Sequence, residues 1–178
     1  SNYNHIEIKF NDKESENANI WEVKYNKEYN GIVNRYEEIT IGIIPEINEL
    51  YYFIYTDKKP ENTEIIISEQ EAKNIALLEE NKLNIGYTIK NIEVKLDIVK
   101  INGYSHLRKE NYEQYYKERY TPLYPVEKLH YYRVEDRIRQ VWKVRLEFET
   151  TKTSYKEKDF TYFIDVSTGE IVGGEISK

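Results

Sequence analysis

"VWKVRLEF", residues 141–148, decides how the chain is built. Trp142, Val144, Leu146 and Phe148 alternate with Lys143, Arg145 and Glu147. That period of two specifies a strand with one apolar and one charged face. Sliding the chain on itself by 121 residues lays "IWEVKY", Ile20 to Tyr25, on "VWKVRL", Val141 to Leu146. Both Trp residues of the chain, Trp21 and Trp142, stand inside this match. The same offset puts Thr40 on Thr161, Ile43 on Ile164, Glu49 on Glu170 and Leu50 on Ile171. Self-similarity at a fixed offset predicts two related strand-rich units, residues 1–64 and 65–178.

After a polar stretch from Thr150 to Lys158, Phe160, Tyr162, Ile164 and Val166 alternate again. They run into "DVSTGEI", residues 165–171, and then Gly173-Gly174, the pattern of an antiparallel meander. Asp165 and Ser167 suit a turn because short polar side chains bond their own backbone, and Gly169 supplies a left-handed conformation. At the offset, Asn48 stands on Gly169, and Asn is the next best residue at positive φ. Ile44 stands on Asp165, so the acid is not repeated. Asp165 also lies four residues before the glycine, where a catalytic Asp-Thr-Gly needs two. The stretch reads as a reversal of the chain, not as a reactive site.

One helix is legible. Ser68 precedes "EQEAKNIALLEENK", and Ser68 with Glu71 has the spacing of a capping box. Glu69 and Glu71 suit the positive end of the helix dipole. Ala72, Ile75, Ala76 and either Leu78 or Glu79 form the apolar stripe, and Asn84 to Gly86 ends it. Ile92, Val94, Leu96 and Ile98 then make another alternating strand. Before the helix every segment reads as β: Ile6, Ile8 and Phe10; Trp21, Val23 and Tyr25; Ile39, Ile41 and Ile43. "LYYFIYT", residues 50–56, is apolar on both faces and predicts a strand covered on both. Trp21 and Trp142 read as core anchors on their strands.

Composition excludes several classes. With 178 residues and 39% apolar side chains a packed core is attainable despite 33% charged residues. The chain has no Cys, which removes disulfides, thiolate nucleophiles and Cys-ligated zinc. A net charge of −6 argues against a general nucleic-acid binder. No apolar run approaches the ~20 residues of a membrane span. There is no Met, and Ser1-Asn2 reads as a cloning remnant. The chain is therefore expected to be an excised part of a longer polypeptide whose leader or anchor lies outside it. His5, His106 and His130 are scattered, with no metal-binding spacing. Glu37-Glu38 and Glu79-Glu80 are adjacent, point apart and read as solvated faces. No G-x-S-x-G or phosphate-cradling glycine loop is present. The expectation is a protein with no catalytic residues, no metal and no cofactor.

Residues 102–137 differ from the rest. They hold eight of the 18 Tyr, and six of the seven Arg lie between Arg108 and Arg145. Tyr112, Tyr115, Tyr116 and Tyr120 have helical spacing, which Pro122 and Pro125 end. A strand is expected near Leu129 to Val134. Tyr and Arg are enriched at binding hot spots, so Arg108, Tyr112, Tyr115, Tyr116, Arg119, Tyr120 and Tyr124 are the candidate partner-binding residues.

The order of motifs resembles the PepSY family, the peptidase propeptide and YPEB domain. The residues that carry the resemblance are Ile67-Ser68-Glu69-Gln70-Glu71-Ala72, Trp142 with Val144, and Tyr162 through Ile171 with Asp165, Thr168, Gly169 and Glu170. It covers about residues 65–176 and skips the Tyr-rich insertion, and it looks closest to the tandem-repeat cell-envelope type. It implies an α+β fold, antiparallel sheet units with one packed helix each, here a partial first copy followed by a complete second copy. It also implies a non-enzymatic, extracytoplasmic module of Gram-positive bacteria, secreted or carried by an envelope lipoprotein. Such a module binds a protein partner, a protease or cell-wall hydrolase that it restrains or localises. A structural spacer of a larger envelope protein is the alternative.

Overall fold

The computed structural model describes residues 3–12, 19–83, 88–103, 135–149 and 159–175. The chain divides into two compact units, residues 1–59 and 60–178. The first is an antiparallel sheet of β1 (Tyr3–Asp12), β2 (Asn19–Tyr29), β3 (Ile32–Ile44) and β4 (Glu49–Asp57), in that spatial order. Asn30 and Gly31 join β2 to β3 at φ 52° and 77°. Positive φ at both central residues matches the right-handed twist of the strands they connect.

The second unit opens with α1 (Glu69–Leu83) and continues with β5 (Ile89–Lys100), β6 (Ile138–Phe148), β7 (Asp159–Asp165) and β8 (Ile171–Glu175). These strands form a second antiparallel sheet in the order β5-β6-β7-β8. Ser68 and Glu71 cap the helix reciprocally. The Ser68 N–H donates to the Glu71 carboxylate at 2.8 Å, and the Glu71 N–H donates to the Ser68 hydroxyl at 3.3 Å. The lead-in is fastened to the sheet, because the N–H groups of Ile66 and Ile67 both donate to the Val166 carbonyl at 2.9 and 2.8 Å. The Trp142 indole N–H donates to the Ile67 carbonyl at 2.7 Å. Ala72 and Ala76 then pack with Val144, Leu146, Phe148, Phe160, Tyr162 and Ile164 in one buried cluster. Of the two residues the helical spacing left open, Glu79 is buried and Leu78 is 60% exposed.

The two ladders share a register. Trp21 stands opposite Ile43, Val23 opposite Ile41 and Tyr25 opposite Ile39. Trp142 stands opposite Ile164, Val144 opposite Tyr162 and Leu146 opposite Phe160, each pair displaced by the same 121 positions. The next ladder slips by one residue between Gly42 and Ile43 in the first sheet, and between Phe163 and Ile164 in the second.

Two expectations need correction. The fold is not α+β with a helix on each sheet unit. Strands take up 63% of the described residues, α1 is the single described helix, and the protein is mostly β. Only residues 69–83 combine helical spacing with a cap, whereas β1, β2 and β3 of the first unit alternate at period two. The expectation of one helix for each unit came from the resemblance, with that of the partial first copy upstream or missing, and not from any helical period in the first unit. β4 is also not covered on both faces. It is an edge strand paired with β3 alone, and Leu50, Tyr51, Phe53, Ile54 and Tyr55 are all exposed. The strand expected near Leu129 to Val134 lies outside the described residues. No described helix is long and apolar enough to cross a membrane.

Candidate binding face

Residues opposite one another in an antiparallel ladder point to the same side of the sheet. The register therefore gathers three residues from each strand of the first unit on one face. They are Ile6, Ile8 and Phe10 of β1; Trp21, Val23 and Tyr25 of β2; Ile39, Ile41 and Ile43 of β3; and Leu50, Phe53 and Tyr55 of β4. None is charged. Ile8 is 61%, Leu50 62%, Phe53 57% and Trp21 43% exposed. The Phe10 and Trp21 rings lie 5.0 Å apart between centroids, tilted against each other. The corresponding face of the second sheet lies under α1, where Leu146, Tyr162 and Ile164 are buried.

The other side of the first sheet is polar. Glu22 accepts from the Tyr52 hydroxyl, and that bond, burial and the Glu22 charge push the phenol up to about 12. The same bond holds Glu22 below the usual carboxylate range. Glu37, by contrast, stands at the β2–β3 hairpin end of the apolar side, in register with Asp57, where it is fully buried and accepts from Lys27 and from the Tyr29 hydroxyl, each at 2.6 Å. Burial pushes its carboxyl up, but those two hydrogen bonds and the Lys27 charge outweigh burial and leave it lowered. One side of the sheet is thus polar and hydrogen-bonded along its length, and the other is apolar and exposed except at its Glu37 end. The apolar face offers area and shape, with the Tyr25 and Tyr55 phenols on it and Glu37 and Asp57 at one end, so it is suited to binding.

The remaining sequence-derived residues fall elsewhere. Arg108, Tyr112, Tyr115, Tyr116, Arg119, Tyr120 and Tyr124 all lie outside the described residues, as do His106 and His130. His5 stands on β1, 3.4 Å from Glu28. Among the described residues no group of three or more His, Cys, Asp or Glu is placed to hold a metal ion. Trp142 packs against the core, but Trp21 is not the core anchor its pattern suggested, because nothing described covers its side of the sheet.

Asp165 is fully buried and organises its turn. Its carboxylate accepts from Arg139 at 2.7 Å, the Ser167 hydroxyl at 2.7 Å, Asn62 at 2.8 Å and the Ser167 and Thr168 N–H groups at 2.9 and 3.0 Å. Burial raises this carboxyl, yet Arg139 and the Ser167 and Thr168 donors overcome it and hold the pKa low. Gly169 has φ 74° and Asn48 has φ 52°, both left-handed. The acid pairs are not solvated as expected. Glu37, Glu79 and Glu80 are buried, with Glu80 accepting from the Tyr162 hydroxyl at 2.7 Å. The Lys and Tyr donors that satisfy these acids come from other elements, so adjacency in sequence does not reveal them.

A concavity of about 520 Å³ on the polar side of the second sheet is lined by Glu93, Val94, Lys95, Lys143, Arg145, Thr161 and Glu175. Arg145 pairs with Asp159 at 2.7 Å and Lys143 with Glu175 at 2.5 Å, so its principal cations are already engaged. The apolar face of the first sheet is therefore the better candidate. Its residues were visible as alternating positions in β1, β2 and β3 and as an apolar run in β4, but neither pattern says whether a face is covered. No protein-family model matches this chain, and no curated protein matches it.

Proposed function

We propose that this chain is a non-enzymatic, extracytoplasmic PepSY-like module that binds a protein partner through the open face of its first sheet. The partner class is a secreted protease or cell-wall hydrolase, which the module restrains or localises. One observation carries the choice of surface: of twelve uncharged side chains gathered from four strands on one face, eight are exposed and four half-buried, while the matching face of the other sheet is buried under α1. A contiguous exposed apolar patch of this kind marks an interaction site. The aromatic side chains on it are of the types enriched at interface hot spots.

The test is a panel of secreted metalloproteases and cell-wall hydrolases assayed with the full chain and with an Ile8→Lys/Phe53→Lys variant. At least one enzyme should be bound or inhibited, and the variant should weaken that effect at least tenfold. A panel left untouched, or an effect the variant does not change, overturns the reading. A spacer role is the second reading, favoured by the recurrence of one ladder register at a constant offset. A spacer leaves every enzyme of the panel unaffected.

A further inference from the structure

The second sheet displays what such a face accepts. α1 lies over β5, β6 and β7 and enters at Trp142, whose indole N–H meets the carbonyl of Ile67 in the extended lead-in. Gly169 sits against Ile67 and Ile75 at this end. The helix then runs toward Tyr162, which donates to Glu80. In the first sheet Trp21 replaces Trp142 at the same register position, and Asn48 replaces Gly169 at the same offset of 121 residues. No described residue accepts from the Trp21 indole N–H.

The floor differs in one respect that sets specificity. Phe160 and Tyr162, whose bulk leaves room only for Ala72 and Ala76 above them, correspond to Ile39 and Ile41. A helix on the first sheet must fill that lost volume with larger side chains, since interiors are close-packed. The far end of the path also carries charge. Asp57 stands in register with Glu37, engages the Tyr55 hydroxyl and Glu37, and is half exposed, with Lys59 at 3.9 Å. An acidic rim there complements basic residues in the last turn of a docked helix, where cations are favoured.

We infer that the open face of the first sheet is the docking site for an amphipathic α-helix of a partner polypeptide. That helix carries large aliphatic residues at i and i+4 of its apolar stripe, an extended lead-in beside Trp21 and a basic last turn beside Asp57. The inference rests on the reading of this face as a protein-binding surface and names what the surface recognises.

The probe is a peptide of residues 63–83 carrying Ala72→Leu and Ala76→Leu, compared with the unaltered peptide and a scrambled one. Each is titrated into the full chain. None contains Trp, so the emission of the full chain, with the Trp142 contribution fixed by a Trp21→Phe control, reports on the face. The Leu-bearing peptide should bind at least tenfold more tightly than the unaltered one and shift the Trp21 emission to the blue. Phe53→Lys or Leu50→Lys, both on an exposed edge strand, should each weaken binding at least tenfold, and Asp57→Lys about threefold. Equal binding by the scrambled peptide, no binding by any peptide, or binding indifferent to both β4 variants overturns the inference. So does a stable dimer of the free chain that Phe53→Lys dissociates, because the occupant is then a second copy. If the helix binds while every hydrolase is unaffected, the hydrolase reading fails and this inference stands. If a hydrolase binds through the face but the peptides do not, only this inference falls.

Discussion

Ile164 and Ile43 occupy the same place in two ladders of the same register, opposite Trp142 and Trp21 respectively, yet Ile164 is fully buried and Ile43 is 38% exposed. The strands are not what separates them. Their alternation, their pairing and even the one-residue slip in the following ladder agree. The difference is α1, capped by Ser68 and Glu71 and tied down through Ile66, Ile67 and Trp142. A strand pattern fixes which face is apolar, and a separate element decides whether that face is removed from water. The second sheet gains the free energy of burial within its own unit. The first holds together by its ladders and by the cluster around Glu37, and should be the locally less stable of the two.

The largest way to break this comparison is to place the same charge at both positions. Ile164→Asp buries a carboxylate under the helix and should cost about 4 kcal/mol or more, enough to open the second unit. Ile43→Asp puts the charge at a solvated position and should cost about 1 kcal/mol or less. Hydrogen exchange read by mass spectrometry follows each sheet separately. Equal losses of protection in the two units would mean that the first face is covered in solution by something within the chain.

How much of this was legible follows from the kind of information each feature needs. Alternation at Trp142, Val144, Leu146 and Phe148 is local, so the strands and their shared offset are readable directly. Ser68 with Glu71, and Gly169 with Asn48, are readable for the same reason. Asn30-Gly31 was equally local, the strongest short hairpin signal in the first unit, and went unread. Burial is not local. Glu79 faces inward in place of Leu78, and Glu80 and Glu37 find Tyr and Lys donors on other elements. The candidate face is the extreme case, because its identity depends on no described residue covering it, which the pattern of its own twelve residues cannot announce.

A mid-sized effect sharpens the contrast from the polar side. Asp165 is held below its ordinary pKa against the effect of burial by Arg139 and by the Ser167 and Thr168 donors. A depressed carboxyl contributes stability that is fully present above its unfolded value, about pH 4, and is lost as pH falls through the lower folded value. Asp165→Asn should therefore cost about 2–3 kcal/mol at neutral pH, because Arg139 loses a buried partner, and should flatten the acid limb of the second unit's stability. Glu37→Gln should do the same for the first unit, again with the loss confined to pH above the unfolded value. A variant whose stability still falls on acidification as steeply as the parent would remove either acid from this role.

The smallest effect is the most direct probe of the cover itself, because it exchanges the two turns that occupy equivalent positions. Asn48 and Gly169 both adopt a left-handed conformation, and Asn tolerates that region better than other side chains. On backbone grounds alone, Asn48→Gly and Gly169→Asn should be small changes of opposite sign. The surroundings are unequal, however. A Cβ at Gly169 would stand 3.2 Å from Ile75 Cδ1 and 3.4 Å from Ile67 Cδ1, both belonging to the helix or its lead-in. Gly169→Asn should therefore cost about 1 kcal/mol, the range for crowding a packed site, whereas Asn48→Gly should change stability by less than about 0.5 kcal/mol. Denaturant titration with hydrogen exchange to assign each unit measures both. If Gly169→Asn is as silent as Asn48→Gly, the helix does not press on its turn. The contrast between a covered and an open sheet would then have to be sought in something other than α1.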